Sequence, residues 1–185
     1  LSVAVYYNNQ GTILSYGFAD SHNNRPVTPN TVFEIGSITK VFTSTAVALE
    51  IQKGRMSLQD PLAKFIPQLQ GPFNIGKVTI QNIVTHTSSL PRGPEELMND
   101  HRPVNTYPAL MKHAAGWTPK YPIGTHYEYS NVAFGLLGIA LGNLTDSNYG
   151  NAIQHLVLRP LNMISSGVQL NPETKNHYAQ GYLEN

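Results

Sequence analysis

The sequence predicts an α/β chain of the α+β type, with strands gathered at its start and helices through most of the remainder. Three observations carry that reading. Two short runs rich in Val, Ile and Tyr flank Asn8-Asn9-Gln10-Gly11 near the N-terminus. Two longer apolar stretches, Ser37 to Gln52 and Asn131 to Leu141, follow helical spacing rather than alternation. Between them, Pro91 to Thr125 holds six prolines and reads as mostly irregular.

Taken in order, Ser2 to Tyr7 and Thr12 to Ala19 form a β-hairpin, Asn and Gly supplying the positive backbone angles of the turn. Asp20 to Asn30 collects Asn, Pro, Ser and Thr and reads as a loop. From Ser37 to Gln52, the apolar positions Ile38, Val41, Phe42, Ala48 and Leu49 recur at helical intervals and no charge falls between Lys40 and Glu50. That pattern predicts a helix buried on nearly every side, ended by Gly54. Val78 to Val84 is a short helix closing at Thr85 to Pro91, and Ala109 to Ala114 another within the irregular segment. Asn131 to Leu141 reads as a second buried helix and Tyr149 to Leu158 as an amphipathic third that stops before Pro160. The rest, through Asn185, is loop-like, with a strand at the very end.

Composition narrows the function. With 185 residues the chain is long enough to bury a core. Twelve Lys and Arg against eleven Asp and Glu leave a net charge of +1, with no basic stripe, so nucleic acid is not an expected partner. Charged residues make up 12%, about half the usual share, so neutral amides and hydroxyls must cover much of the surface. The absence of Cys removes disulfides and thiolate chemistry. No stretch approaches the roughly 20 apolar residues of a membrane helix, so no membrane span is expected. The chain begins at Leu1 rather than at Met, which suits a processed or excised piece of a longer product. The seven histidines never fall at the His-x-x-x-His spacing, and no phosphate-binding glycine loop or Gly-x-Ser-x-Gly elbow occurs. Neither metal nor cofactor is expected.

What remains is Ser37-Ile38-Thr39-Lys40 at the start of the first apolar helix. Residues three apart share a helix face, so the lysine amine can reach the serine oxygen and serve as the base a hydroxyl nucleophile needs. A helix N-terminus also favours the anion that develops in acyl transfer. Spacing alone fits a serine cap and a solvated lysine as well, but Lys40 lies in a run with no other charge, where an idle ammonium is costly. A second candidate is Tyr129-Ser130-Asn131. Tyr-x-Asn occurs four times where composition predicts about one, so spacing decides nothing. Only this copy lies in an extended approach to a buried helix, where phenol and amide project to the same side; a packed aromatic and a helix cap fit it too.

Together with their surroundings, these motifs resemble the class C β-lactamase and penicillin-binding-protein-like serine hydrolase family. Phe33 to Lys40 resembles the nucleophile segment, and Gly54 to Pro61 the turn after its helix. Val78 to Leu90 resembles the landmark threonine-histidine-threonine-serine-glycine-leucine, with Ser89 in place of the glycine. Tyr129-Ser130-Asn131 with Gly135-Leu136-Leu137-Gly138 resembles the second catalytic motif and its helix. Pro160-Leu161-Asn162-Met163 resembles a proline-leucine-glycine-methionine turn, Asn162 replacing the glycine, and Ile123 interrupts the usual proline-glycine before the second motif. The third motif, Lys or His followed by Thr or Ser and Gly, has no match after Asn131; Ser165-Ser166-Gly167 lacks the cation.

The resemblance implies a β-lactamase or transpeptidase-like fold: an antiparallel sheet flanked by helices, a mostly helical lobe, and an active site between them. Residues 1–49 would supply the hairpin and nucleophile helix, 50–165 the helical lobe, and 166–185 a return towards the sheet. It implies Ser37 as nucleophile, Lys40 and Tyr129 as the proton-transfer pair with the base unassigned between them, Asn131 as an orienter of substrate or lysine, and the Ser37 main-chain N–H as half of an oxyanion hole. The implied activity is acyl-enzyme hydrolysis of a small β-lactam amide. Alternatives are a D-alanyl-D-alanine carboxypeptidase acting on peptidoglycan-type peptides, a carboxylesterase on the same scaffold, or a non-catalytic binding module. No cofactor is implied, and the compartment would be the periplasm or the exterior. Without the third motif the chain is expected to be a fragment that lacks the C-terminal strands, its open sheet edge paired by another segment or chain.

Overall fold

The N-terminal hairpin forms as its residues dictate. In the computed structural model, which describes residues 1–70, 74–93, 98–99, 102–103 and 107–182, β1 (Ser2–Tyr7) pairs antiparallel with β2 (Gln10–Ser15), Ser2 facing Ser15 and Tyr7 facing Gln10. The turn corrects one detail of the sequence reading. Asn8 at φ 48° and Asn9 at φ 60° supply both positive angles, and Gly11 lies inside β2 opposite Tyr6. Asparagine reaches this region at low cost, which frees the glycine from the turn.

Asp20 to Asn30 is not wholly a loop, because β3 (Phe18–Asp20) pairs with β4 (Arg25–Pro26) around a tight connection. The Asp20 carboxylate holds it by accepting from the main-chain N–H groups of His22 and Asn23 and from the Asn23 amide. Nor is the end of the chain loop and strand alone. A short helix runs over Pro172–His177, opened by a reciprocal cap between Asn171 and Thr174. Tyr178 then makes a single parallel bridge to Val32. These pieces, Leu1–Gly36 and Val168–Asn185, form one compact unit. Among the described residues β1 and β2 pair only with each other.

The second unit, Ser37–Gly167, holds the core. After a 3₁₀ turn over Gly36–Ile38, α1 covers Thr39–Gln52 and ends where Gly54, at φ 72°, turns the chain. The expected all-round burial of this helix is corrected. Only Thr43, Ala46, Val47 and Glu50 are buried, while Val41 is 62% exposed. Apolar composition all round permits cover on every side but does not supply it, and here a single stripe at i, i+3, i+4 and i+7 packs against the core.

Helix α2 (Ile80–Val84) starts two residues later than its apolar run because Thr79 is its cap: Thr79 Oγ1 accepts from the Asn82 N–H and Asn82 Oδ1 accepts from the Thr79 N–H. Helix α3 (Tyr107–Gly116) contains the expected Ala109 to Ala114, and the two-residue strands β5 (Met98–Asn99) and β6 (Arg102–Pro103) pair before it. Part of the irregular segment, 94–97, 100–101 and 104–106, lies outside the described residues, as does the extreme C-terminus, 183–185. Helix α4 (Asn131–Leu144) is the core's axis, with Leu136, Leu137, Ala140 and Leu141 fully buried.

Helix α5 (Tyr149–Ile153) packs close to α4 because Gly142 has no side chain: a Cβ there would stand 3.2 Å from the Asn148 carbonyl carbon. It continues as a π-helical turn over Gln154–Leu158 rather than as one regular helix. The buried residues are Ala152, Ile153, Val157 and Leu158, and their five-residue repeat is met by a turn in which Arg159 N–H donates to the Gln154 carbonyl.

Ser89 and Asn162, which stand where the resembling landmarks carry glycine, both adopt left-handed angles, φ 62° and 55°. The backbone shape is kept and the side chains bear its cost. Ser89 uses its position, accepting the Tyr121 N–H on Oγ at 3.0 Å.

Ser130 caps α4 with Oγ accepting from the Ala133 N–H at 3.0 Å, and the same hydroxyl donates to the Pro91 carbonyl at 2.8 Å. It is fully buried. Ser130→Ala therefore strands two polar groups away from water and is expected to lower unfolding free energy by about 2 kcal/mol, read from urea titrations of the two proteins.

Candidate active site

Ser37 does not cap α1. It sits in the 3₁₀ turn ahead of that helix, and Ile38 precedes the first helical residue with no capping bond. Its hydroxyl is left for other partners. Lys40, one turn on, is half-buried and brings Nζ to 3.3 Å from Ser37 Oγ. The same ammonium donates to Asn131 Oδ1 at 2.7 Å. From the opposite side the Tyr129 hydroxyl donates to Ser37 Oγ at 2.7 Å. Lys40 Nζ also stands 4.7 Å from the centre of the Tyr129 ring. Ser37, Lys40, Tyr129 and Asn131 thus converge, although 91 residues separate Lys40 from Asn131.

The convergence follows from local structure. Ser130 is extended, φ −128° and ψ 121°, so its neighbours on either side project to one face. The helix cap falls to Ser130, leaving the Asn131 amide for Lys40.

The approach to α4 is tied to the landmark loop by a series of bonds. Gly124 N–H donates to the Thr87 carbonyl, Glu128 N–H to the His86 carbonyl and Asn131 N–H to the Arg92 carbonyl, at 2.8, 2.8 and 3.1 Å. Ser130 N–H donates to His86 Nδ1 at 3.1 Å. Periodicity and spacing missed His86 and Arg92, which lie beside Tyr129: the His86 ring centre is 4.5 Å from that of Tyr129 and the Arg92 guanidinium 5.5 Å. Only the landmark resemblance touched His86, and it carried no role for the side chain.

Hydrogen bonding by Lys40, and next by Ser37, draws the Tyr129 phenol below its ordinary range, helped by the charges of Lys40 and Arg92 and against a smaller desolvation effect. A phenol so placed gives up its proton more readily than tyrosine in water. The four side chains therefore join a nucleophilic hydroxyl to an acidified phenol, with a cation beside both. A cleft of about 430 Å³ opens beside Lys40 between α1 and α4, its walls including Phe134, Gly138, Ile139 and Tyr149. Among the described residues no group of three or more His, Asp or Glu side chains is arranged to hold a metal ion, and no helix is long and apolar enough to cross a membrane.

The Beta-lactamase family model matches residues 1–185. The chain belongs to the beta-lactamase family. It is 33% identical to a beta-lactamase of Pseudomonas fluorescens over 98% of this chain and 49% of that one, and 30% identical to a beta-lactamase of Yersinia enterocolitica over 100% and 46%. A solved class C beta-lactamase superposes with a TM-score of 0.84 at 34% identity, covering 98% of this chain and 48% of its own. Another, solved in complex with cefoxitin, gives the same TM-score and identity over 98% and 49%. The chain spans about half the length of the relatives it matches.

The beta-lactamase likeness covers the α+β fold class read from the sequence. It also runs through both segments that meet at Ser37. If the Lys40 ammonium is what acidifies the phenol, Lys40→Met should return the Tyr129 titration upward towards the free value of 10.0. The ζ-carbon NMR signal of ¹³C-labelled tyrosine, followed against pH, measures that shift directly.

Proposed function

We propose that this chain carries the nucleophile and proton-transfer residues of a serine β-lactamase-type hydrolase, which opens a β-lactam amide through an acyl-enzyme on Ser37. The observation that carries the reading is the double contact on Ser37 Oγ, Tyr129 hydroxyl at 2.7 Å and Lys40 Nζ at 3.3 Å. Family membership and the likeness to class C enzymes support it.

In this reading the Tyr129 oxygen, deprotonated beside Lys40, takes the Ser37 hydroxyl proton while Oγ bonds to the acyl carbon. The closer contact and the lowered phenol support Tyr129 as the base, with Lys40 holding it anionic. The same proton then passes to the leaving nitrogen as the C–N bond breaks. The Ser37 main-chain N–H supplies one donor to the oxyanion. Asn131, already on Lys40, orients the ammonium and the substrate amide. Water releases the acyl group by the reverse route. Because such substrates act outside the cytoplasm, we place the protein in the periplasm or the medium.

A fluorescent penicillin should label the native protein, and Ser37→Ala should abolish the label. Tyr129→Phe should slow acylation by about 10² to 10⁴, the range removal of a positioned proton carrier produces. Rapid loss of label by hydrolysis marks a lactamase, whereas an adduct that persists for hours marks a peptidase on the same four residues. No labelling at any concentration, with a fluorophosphonate equally inert, would overturn hydrolysis.

A further inference from the structure

The landmark loop places one titratable side chain against the site from behind. His86 is half-buried and sits at φ 57°, a left-handed angle that turns its ring towards the approach to α4. Its Nδ1 accepts the Ser130 N–H at 3.1 Å. Its ring centre lies 4.5 Å from Tyr129 and 5.2 Å from Phe134, both tilted rather than stacked, and 5.7 Å from Tyr127, edge to face. The His86 carbonyl accepts from Glu128. Both main chain and side chain of this residue therefore hold the three-residue stretch that aims the Tyr129 phenol.

We propose, building on the hydrolase reading, that neutral His86 is a positioning residue: Nδ1 anchors Ser130 and the ring backs Tyr129, which keeps the phenol on Ser37 Oγ, and protonation of His86 releases both. An acceptor at Nδ1 requires the ring proton to sit on Nε2. When the ring gains a second proton, Nδ1 becomes a donor facing the Ser130 N–H, and the bond is replaced by a repulsive contact. The new charge also faces the Lys40 ammonium. The charged and titratable groups on the elements packed around it are Lys40 on α1, Arg92 on its own loop, and Tyr127, Glu128 and Tyr129 on the segment leading to α4. Burial first, and the Lys40 charge second, hold the imidazole below the ordinary histidine range, so the anchor is intact at neutral pH and lost only on acidification.

The backbone angle selects the variants. Asparagine tolerates φ 57° and presents a carbonyl oxygen close to where Nδ1 stood, but does not titrate. Glycine tolerates the angle with neither acceptor nor ring. Acylation of Ser37 by a fluorescent penicillin, timed from about pH 5 to 8 across the window in which histidines titrate, should slow in acid with an inflection below the ordinary histidine value. His86→Asn, which restores the Ser130 bond but not the ring, should recover most of the rate that His86→Gly loses, and its acid limb should move to a different pH, because only the Tyr129 phenol then titrates. His86→Gly should lose about tenfold or more in rate at neutral pH, with the penicillin concentration at half-saturation little changed. An inflection at unchanged pH in His86→Asn, or a native rate in His86→Gly, would overturn the proposal; should the glycine variant not fold, the asparagine profile decides alone. A second measurement separates this from the hydrolase reading. The Tyr129 ζ-carbon signal should step as His86 titrates and show no such step in His86→Asn, whether or not Ser37 acylates; a flat signal in the native protein would overturn the coupling, and unlabelled Ser37 with a clear step would overturn only the chemistry.

Discussion

One ammonium group organises the site. Lys40 Nζ lies within hydrogen-bonding reach of Ser37 Oγ and Asn131 Oδ1 and over the Tyr129 ring, and among the described residues no carboxylate is paired with it. A half-buried cation held by neutral dipoles and a π face stabilises a negative charge that forms beside it. The Tyr129 phenol oxygen lies beside it and can take that charge, which is why its titration is drawn down. The amide of Asn131 can satisfy the ammonium without cancelling its charge, which a carboxylate at the same distance would do. The residue types follow from that constraint.

The cation needs its partners fixed, and this is the task of the loop from His86 to Arg92. That loop has little regular structure, yet it supplies four main-chain carbonyls and an imidazole nitrogen to the segment carrying Tyr129 and Asn131. Two of its residues, His86 and Ser89, hold left-handed angles without being glycine. Each angle costs of order 1 kcal/mol and is returned by a specific bond: Ser130 N–H on His86, Tyr121 N–H on Ser89. A loop of this kind is rigid because its hydrogen bonds close on neighbouring segments.

Legibility in the sequence follows the range of the interactions. Helical periodicity disclosed α4, which buries eight of its 14 residues, and glycine marked the end of α1. The Ser37-to-Lys40 relation was visible because it is one helical turn. Tyr129 and Asn131 stood out among four equal matches only through the extended backbone expected at Ser130, and their meeting with Lys40, across 91 residues, rested on resemblance. Caps were less legible. Thr79 caps α2 and delays its start from Val78 to Ile80, and Ser130 rather than Asn131 caps α4, because capping depends on backbone angles that an apolar pattern does not record. The helix Pro172–His177 was missed for a related reason: it has no buried residue, so no apolar period announces it, only the Asn-Pro start and its reciprocal cap. His86 was invisible to periodicity, since a lone histidine in a loop carries no pattern.

Helix α1 shows how the exposed nucleophile end can stay in place with one packed stripe. At its far end Glu50 is fully buried and ion-paired with Lys53 and Arg55. Burial alone would push that carboxyl up, but the two cations outweigh it and leave it below its usual range. Its charged form therefore favours the folded chain above the ordinary carboxylate value and is lost as pH falls through the lowered one. The chain leaving the helix is thus tied back to its last turns. At the near end the constraint is again a charge, Lys40 on Asn131. Between them lie Thr43, bonded to the Tyr149 hydroxyl at 2.8 Å, and the apolar contacts of Ala46 and Val47. The helix is consequently fixed in position along its length by a polar contact at each end and in the middle, while Val41 and Ser37 remain exposed. A helix packed all round would hold Lys40 as firmly but would leave no open face beside the 3₁₀ turn that carries the Ser37 hydroxyl.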